Sequence, residues 1–159
     1  MKKYLLLLSV VILGLSACKK IDFEAEQAAI DDAKIQAYLS ANNITATKDP
    51  SGIYYNIIKQ GTGAAPTATS TIQVAYTGKL LNGITFESSS SAVLALSGTI
   101  KGWQVGILKI NAGPLGDQAN AGRIRLIIPS ALAYGANSSG KIPANSVLDF
   151  TVTLIGVGI

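Results

Sequence analysis

The chain has 159 residues, with no histidine, one cysteine and one tryptophan, and this length suits one domain plus a short additional segment. Without histidine there is no imidazole base, no Ser-His or Cys-His nucleophile and no histidine-ligated zinc, and one cysteine forms neither an internal disulfide nor a thiolate cluster. Hydrophobic residues make up 48% and charged residues 14%, so the chain can bury a core. We therefore expect no metal and no cofactor, and chemistry that depends on shape and desolvation.

The first residues are basic and then apolar. Met1-Lys2-Lys3 precedes an apolar run over residues 4–14, which is shorter than the about 20 residues that span a bilayer. This pattern predicts a secretory signal peptide. Its end, Leu15-Ser16-Ala17-Cys18, resembles a bacterial lipoprotein signal, which implies cleavage before Cys18 and its acylation with chains such as palmitate. A plain signal peptide with an accidental cysteine is the alternative.

A lipidated Cys18 implies attachment to the bacterial cell envelope. Because Lys19 follows the cysteine in place of an acidic residue, the outer membrane is favoured over the inner one, on its periplasmic or surface face. Without Lys2 and Lys3 the chain keeps 11 basic and 9 acidic residues, and the basic ones are scattered. Scattered charges are typical of a solvated surface, so nucleic acid is not expected as a partner.

The segment after the signal predicts a helix over residues 21–43. It is rich in alanine, has acidic residues near its start, and places Ile35, Tyr38 and Leu39 on one face. Asn42-Asn43 is expected to end it. Packing on the main domain, a weak dimer contact and a spacer from the membrane all fit this helix. The predicted organisation is a signal peptide (1–17), the lipidated cysteine with helix and linker (18–52), and one domain (53–159).

Beyond a turn at 49–52, apolar and polar residues alternate with the period of half-buried strands. A turn and short helix are predicted within 98–110, with Trp103, Ile107 and Ile110 on one face, and the serines at 88–91 are expected in a loop. These elements favour an α+β domain, in which an antiparallel sheet wraps around one short helix. The alternating segments are 53–58, 72–77, 123–128 and 148–154.

Three groups of residues lie in a distinctive order. They are Tyr76-Thr77-Gly78-Lys79-Leu80 with Phe86-Glu87-Ser88-Ser89, then Ile100-Lys101-Gly102-Trp103, then Leu132-Ala133-Tyr134-Gly135 with Ile142-Pro143-Ala144-Asn145. In order and spacing they resemble the FKBP-type peptidyl-prolyl cis-trans isomerases, from about Ile53 to Ile155. The resemblance implies a twisted antiparallel sheet around a short helix. It also implies isomerisation of Xaa-Pro bonds in folding envelope or secreted proteins, and binding of macrolide inhibitors.

The resemblance implies an apolar pocket. Trp103 would form its floor beneath the proline ring, Tyr76 and Phe86 its walls, and Phe150 its back. For each of these rings a place in the ordinary core is the alternative. The barrier to isomerisation, ~18–20 kcal/mol, comes from amide resonance, and a pocket that strips water from the prolyl carbonyl disfavours the charge-separated form.

The resemblance also implies polar contacts. Tyr134 would direct its hydroxyl, and Ile100 its backbone N–H, at substrate carbonyls, while Glu87 stands at the rim where the family usually has Asp. These three residues and the four rings form the predicted catalytic set. Further substrate contacts are expected at Thr99, Val93 and Leu148.

The chain departs from the family pattern around the mouth of this pocket. Ala92 and Val93 stand where an aromatic residue is usual, and Thr99 stands where Val is usual. Loss of apolar area there predicts a weaker isomerase. The alternative is a chaperone or binding module of the envelope that keeps the fold and the pocket. A monomer is expected.

Overall fold

The computed structural model describes residues 15–114 and 117–158, with side chains from residue 23 onward. Its helices and strands are α1 (Leu15–Ala41), β1 (Thr47–Lys48), β2 (Tyr54–Lys59), β3 (Thr71–Leu80), β4 (Thr85–Ala95), α2 (Lys101–Gly106), β5 (Gly122–Ile128) and β6 (Leu148–Val157). Short 3-10 turns cover Leu96–Gly98, Ile107–Lys109, Gln118–Asn120 and Ser130–Leu132. Residues 1–14, which hold most of the predicted signal peptide, lie outside the described residues.

The strands form one antiparallel sheet in the order β1-β2-β5-β6-β3-β4. Strands β3, β5 and β6 carry alternating apolar residues, and their inward set packs with α2 into one core. The predicted α+β class, an antiparallel sheet around one short helix, is confirmed.

The serine-rich segment 88–91 is a strand, so its expected place in a loop is wrong. It lies within β4, where Ser88 pairs with Thr77 and Ser89 with Tyr76 of β3. Serine side chains give no hydrophobic period, and the strand forms because its backbone groups find partners on β3. Phe86 lies on this same strand, at the edge of the sheet.

Helix α2 lies close against β5 because two of its residues are glycines. A Cβ atom added to Gly102 would collide with the Ile128 side chain, and one added to Gly106 with that of Leu126. The predicted inward face is confirmed, since Trp103, Ile107 and Ile110 are all buried. This close approach sets the depth of Trp103 within the fold.

Helix α1 packs on the outer face of the sheet through its second half, so packing is one of its roles, and the membrane spacer and the dimer contact stay predictions. Ile35 and Leu39 are buried against Tyr54, Ile127 and Val147. The helix begins at Leu15 rather than at Ile21 and ends at Ala41, and Asn43 adopts the left-handed conformation (φ 53°) as expected of a helix stop. Within the described residues, no helix combines the length and the apolar character that crossing a bilayer requires.

Candidate active site

Four aromatic rings from four different elements meet on the inner side of the sheet. Trp103 of α2 contacts Tyr76 of β3 at 5.1 Å and Phe150 of β6 at 5.3 Å between ring centroids, both edge to face. Phe86 of β4 meets Phe150 at 5.5 Å, also edge to face. The structure thus brings together all four rings named from the sequence, which we call the aromatic cluster.

Exposure differs within the aromatic cluster. Trp103 and Phe150 are each 4% exposed, whereas Tyr76 and Phe86 are half-buried and pack on the same core. The arrangement has a deep base and two partly open sides, which suits an apolar ring entering from solvent. The Trp103 Nε1 atom is buried and has no hydrogen-bond partner within the described residues.

The absence of a side chain at Gly78 makes room for two of these rings. A Cβ there would lie 2.6 Å from Phe86 Cζ and 2.7 Å from Phe150 Cε1. Gly78 pairs with Glu87 on one side and with Phe150 on the other. Gly78 is therefore needed for the packing of the two rings. The sequence motif contains this glycine but does not indicate that role.

Ile100 stands at the start of α2 and is half-buried beside the core. Its carbonyl accepts the N–H groups of Trp103 and Gln104 at 3.0 and 3.2 Å. No acceptor within the described part of the chain takes the Ile100 N–H. That N–H is therefore free to donate a hydrogen bond to a group from outside the described residues.

The preceding loop is held by Gln104, which the sequence reasoning missed. Its Nε2 donates to the carbonyls of Thr99 at 2.7 Å and Ser97 at 3.1 Å. The Thr99 hydroxyl donates to the Leu96 carbonyl at 2.8 Å. Thr99 thus lies next to Ile100, but its hydroxyl is hydrogen-bonded within the Leu96–Gly98 turn.

Tyr134 is half-buried in the loop after β5 and packs on the same core as the aromatic cluster. Burial first, and then the Glu87 carboxylate and the nearby Tyr134, raise the pKa of Tyr76 to about 12. The Glu87 carboxylate and Tyr134 therefore act on the Tyr76 phenol at the rim. Since the Tyr76 phenol stays neutral at physiological pH, it remains able to donate a hydrogen bond.

Two other predicted contacts lie elsewhere. Val93 pairs with Gln73, is 58% exposed and faces away from Ala92, because successive strand residues point to opposite faces. Leu148 is fully buried in the core beneath the site. The structure does not bring Val93 to the aromatic cluster, and it places Leu148 as support. Among the described residues, no group of acidic side chains is arranged to hold a metal ion.

An antiparallel sheet curled over a short helix, with an aromatic cluster between them, defines the FKBP fold class. Residues 63–155 match the model of that family, described as FKBP-type peptidyl-prolyl cis-trans isomerase. The chain belongs to this family, and the resemblance drawn from its motifs is confirmed.

Relatives and solved structures agree with this assignment. The chain is 36% identical over 143 residues to the FKBP-type peptidyl-prolyl cis-trans isomerase FkpA of Aeromonas hydrophila, covering 84% of this chain and 50% of the relative. It is 35% identical over 139 residues to the "Outer membrane protein MIP" of Legionella longbeachae, covering 83% and 56%. The crystal structure of FkpA from Escherichia coli superposes with a TM-score of 0.69 at 32% identity, covering 89% of this chain and 67% of that one. The chain spans about half the length of the curated relatives it matches.

Proposed function

We propose that this chain catalyses cis–trans isomerisation of Xaa-Pro peptide bonds in proteins that fold in the bacterial cell envelope. One observation carries the proposal, namely the aromatic cluster with Trp103 at its base and half-buried Tyr76 and Phe86 at its sides. Relatives over most of the chain carry the name of this isomerase. The substrates are proline-containing segments of unfolded chains.

The mechanism relies on solvent exclusion and on preference for the twisted amide. A proline ring on Trp103 places its amide among apolar side chains, where the charge-separated resonance form loses its hydration and the bond rotates more readily. The Ile100 N–H and the Tyr134 hydroxyl donate hydrogen bonds to substrate carbonyls. Only contacts that are stronger in the twisted state accelerate the reaction, and no covalent step is required.

The departures around the mouth support reduced activity. Ala92 is half-buried against the core where the family usually has an aromatic ring, and Val93 faces away. The exposed Glu87 replaces the family's shorter acid.

These same features favour the second candidate function, a binding module or chaperone that holds clients in the pocket. Suppression of aggregation of a proline-free client, without isomerase activity, would favour that candidate.

We also propose that acylated Cys18 anchors the chain, with the outer membrane favoured. The support is the Leu15-Ser16-Ala17-Cys18 motif and a relative named as an outer membrane protein. Cys18 lies on α1, and Asp31 is the first buried residue of this helix among those whose side chains are described, from residue 23 onward. The helix between Cys18 and Asp31 would space the domain about 20 Å from the anchor. Cys18→Ser should abolish palmitate labelling and release the protein from the detergent phase, and retained labelling would contradict the proposal.

Exchange NMR on an Xaa-Pro peptide tests the isomerase. Losing one ring contact costs about 1–2 kcal/mol, so Trp103→Leu should lower kcat/KM about fivefold to thirtyfold. Tyr134→Phe should lower it less, and a macrolide inhibitor should compete with the peptide. Leu108→Ala, which removes a 45% exposed side chain beside α2, is the control and should leave the rate unchanged. A folded wild-type protein that does not accelerate exchange would overturn the proposal.

A further inference from the structure

A carboxylate on the N-terminal helix is buried at the foot of the Tyr134 loop. Asp31 of α1 is 1% exposed, and its Oδ2 accepts the Ser130 backbone N–H at 2.8 Å and the Ser130 hydroxyl at 2.6 Å. Its Oδ1 accepts the amide of Gln27, one helical turn earlier, at 2.8 Å. Both oxygens of this buried carboxylate therefore accept hydrogen bonds, three in all.

Ser130 in turn holds both neighbours of Tyr134. Its carbonyl accepts the N–H of Ala133 at 3.0 Å and that of Gly135 at 2.8 Å, on either side of the tyrosine. Ser130 is 1% exposed, and Gly135 adopts a left-handed conformation with φ 60°. Ser130 is thus an anchor of the tyrosine loop and is itself bound by Asp31 of α1. The loop is also held by the Asn137 N–H on the Tyr134 carbonyl and by the Asn145 N–H on the Gly135 carbonyl.

The N–H of Ser130 needs such a partner. It is the first residue of a 3-10 turn, where the backbone N–H has no acceptor within the turn, and a buried unpaired donor is costly. Asp31 supplies the acceptor from 99 positions away in the chain. Removal of Asp31 therefore leaves two buried Ser130 donors without their acceptor, which favours movement of the loop towards other acceptors or water.

We propose that Asp31 is a positioning residue for Tyr134, so that α1, although outside the family-matched segment, sets the geometry of the site. The inference rests on the proposed isomerase function for its activity readout. Asp31 acts through Ser130 and does not touch substrate. The chain ahead of the domain then has a role in the rate as well as in spacing from a membrane.

A general role in docking the helix is the competing explanation, and Asp32 provides the matched control. Asp32 lies on the same turn of α1, but its Oδ1 accepts from Lys48 at 2.5 Å and Tyr54 at 2.7 Å, on the β1–β2 side. Asp32→Ala therefore loosens helix docking without touching Ser130. Asp31→Asn keeps a carbonyl oxygen that can accept both Ser130 donors, and serves as the conservative variant.

The experiment uses the full chain and two readouts. In wild type, Asp31→Ala should lower kcat/KM about threefold to tenfold, Asp31→Asn should restore most of it, and Asp32→Ala should change it less than twofold. In a Tyr134→Phe background, Asp31→Ala should have less than a twofold further effect, because the two residues act as one unit. An equal loss in both backgrounds would overturn the proposal.

Amide hydrogen exchange tests the positioning role of Asp31 without relying on isomerase activity. The amides of Ala133 and Gly135 should exchange faster in Asp31→Ala and at the wild-type rate in Asp32→Ala. Unchanged exchange in Asp31→Ala would overturn the positioning role whether or not the wild type is an isomerase. If Asp31→Ala fails to fold, Ser130→Ala removes the hydroxyl bond but keeps the N–H bond to Asp31, and should speed the exchange of the same two amides by a smaller factor. Unchanged exchange there would count against the proposal.

Discussion

At the scale of single residues, Gly78 decides whether the aromatic cluster can assemble. Gly78→Ala would place a Cβ atom 2.6 to 2.7 Å from the rings of Phe86 and Phe150, which are packed edge to face and can yield only by moving apart. Overpacking of this kind costs about 1–3 kcal/mol of folding free energy. We expect that loss in urea unfolding, together with reduced isomerase activity.

The matched control for Gly78→Ala is Gly98→Ala. A Cβ added at Gly98 would have no heavy atom within 4 Å, and Gly98 is not among the glycines with positive φ. The control should change stability by less than about 0.5 kcal/mol. Equal stability of Gly78→Ala and wild type would show that the rings can separate without cost, contrary to expectation.

The pKa of the Tyr76 phenol should depend on the Glu87 carboxylate. Burial and Glu87 raise its pKa to about 12, so Glu87→Gln, which removes a negative charge, should lower that pKa. The raised pKa favours the neutral phenol in the folded state, so its contribution to stability is complete below about pH 10 and is lost as the pH rises through 12. Tyrosine Cζ chemical shifts measured against pH test this.

Tyr54 is the internal reference in the same spectra. Its pKa is raised by burial and by Asp32, on the other face of the sheet, so Glu87→Gln should leave it unchanged. A Tyr76 pKa that does not move in this variant would show that Glu87 does not face the phenol. The assignment of Glu87 to the rim would then have to be given up.

At the scale of elements, the sequence patterns predicted what is local. Alternation located β2, β3, β5 and β6, and Asn43 marked the end of α1, because these signals lie within a few residues of their effect. Strand β4 was missed at 88–91 because serines show no apolar alternation. The strand forms there through its backbone pairing with β3, which the sequence does not indicate. The contact of Asp31 with Ser130 joins residues 99 positions apart, and no spacing in the sequence indicates it.

The turn between β1 and β2 is tied to the segment after α2 by an ion pair. Lys109 Nζ lies 2.6 Å from Asp49 Oδ2, and its hydrogen bond, with those of Ser51, holds the pKa of Asp49 at about 2. A lowered pKa gives stability that is present above the ordinary Asp pKa of 3.8 and is lost as the pH falls through 2.

Asp49→Asn should therefore lower stability at pH 7 and flatten the dependence of stability on pH between 4 and 2. Urea unfolding at a series of pH values measures both effects. Lys109→Met removes the same pair from its other side, so in that background Asp49→Asn should have a smaller effect at pH 7. Two fully additive losses would mean that the ion pair does not stabilise the turn.

At the scale of the whole molecule, α1 and the sheet share a second core. Tyr54 and Ile127 are buried on the outer face of the sheet, where alternation alone predicts solvent, because α1 covers them. On the same face, Tyr38 donates to Asp149 at 2.8 Å, and Arg125 binds that carboxylate through two nitrogens at 2.6 and 2.9 Å. These contacts predict that the helix and the domain unfold together.

Ile35→Ala tests this cooperativity against Ile30→Ala, an identical change on the same helix. Ile35 is 1% exposed, so its truncation should cost about 2–4 kcal/mol, whereas Ile30 is 42% exposed and should cost far less.

Trp103 is the only tryptophan and reports on the core away from α1, while circular dichroism reports on the helix. Both probes should give one coincident urea transition, shifted in Ile35→Ala, because loss of the second core then destabilises the whole molecule. Separate transitions, with tryptophan fluorescence unaffected by Ile35→Ala, would show instead that the domain folds independently of the helix. In that case Asp31 could influence the Tyr134 loop only while the helix is docked.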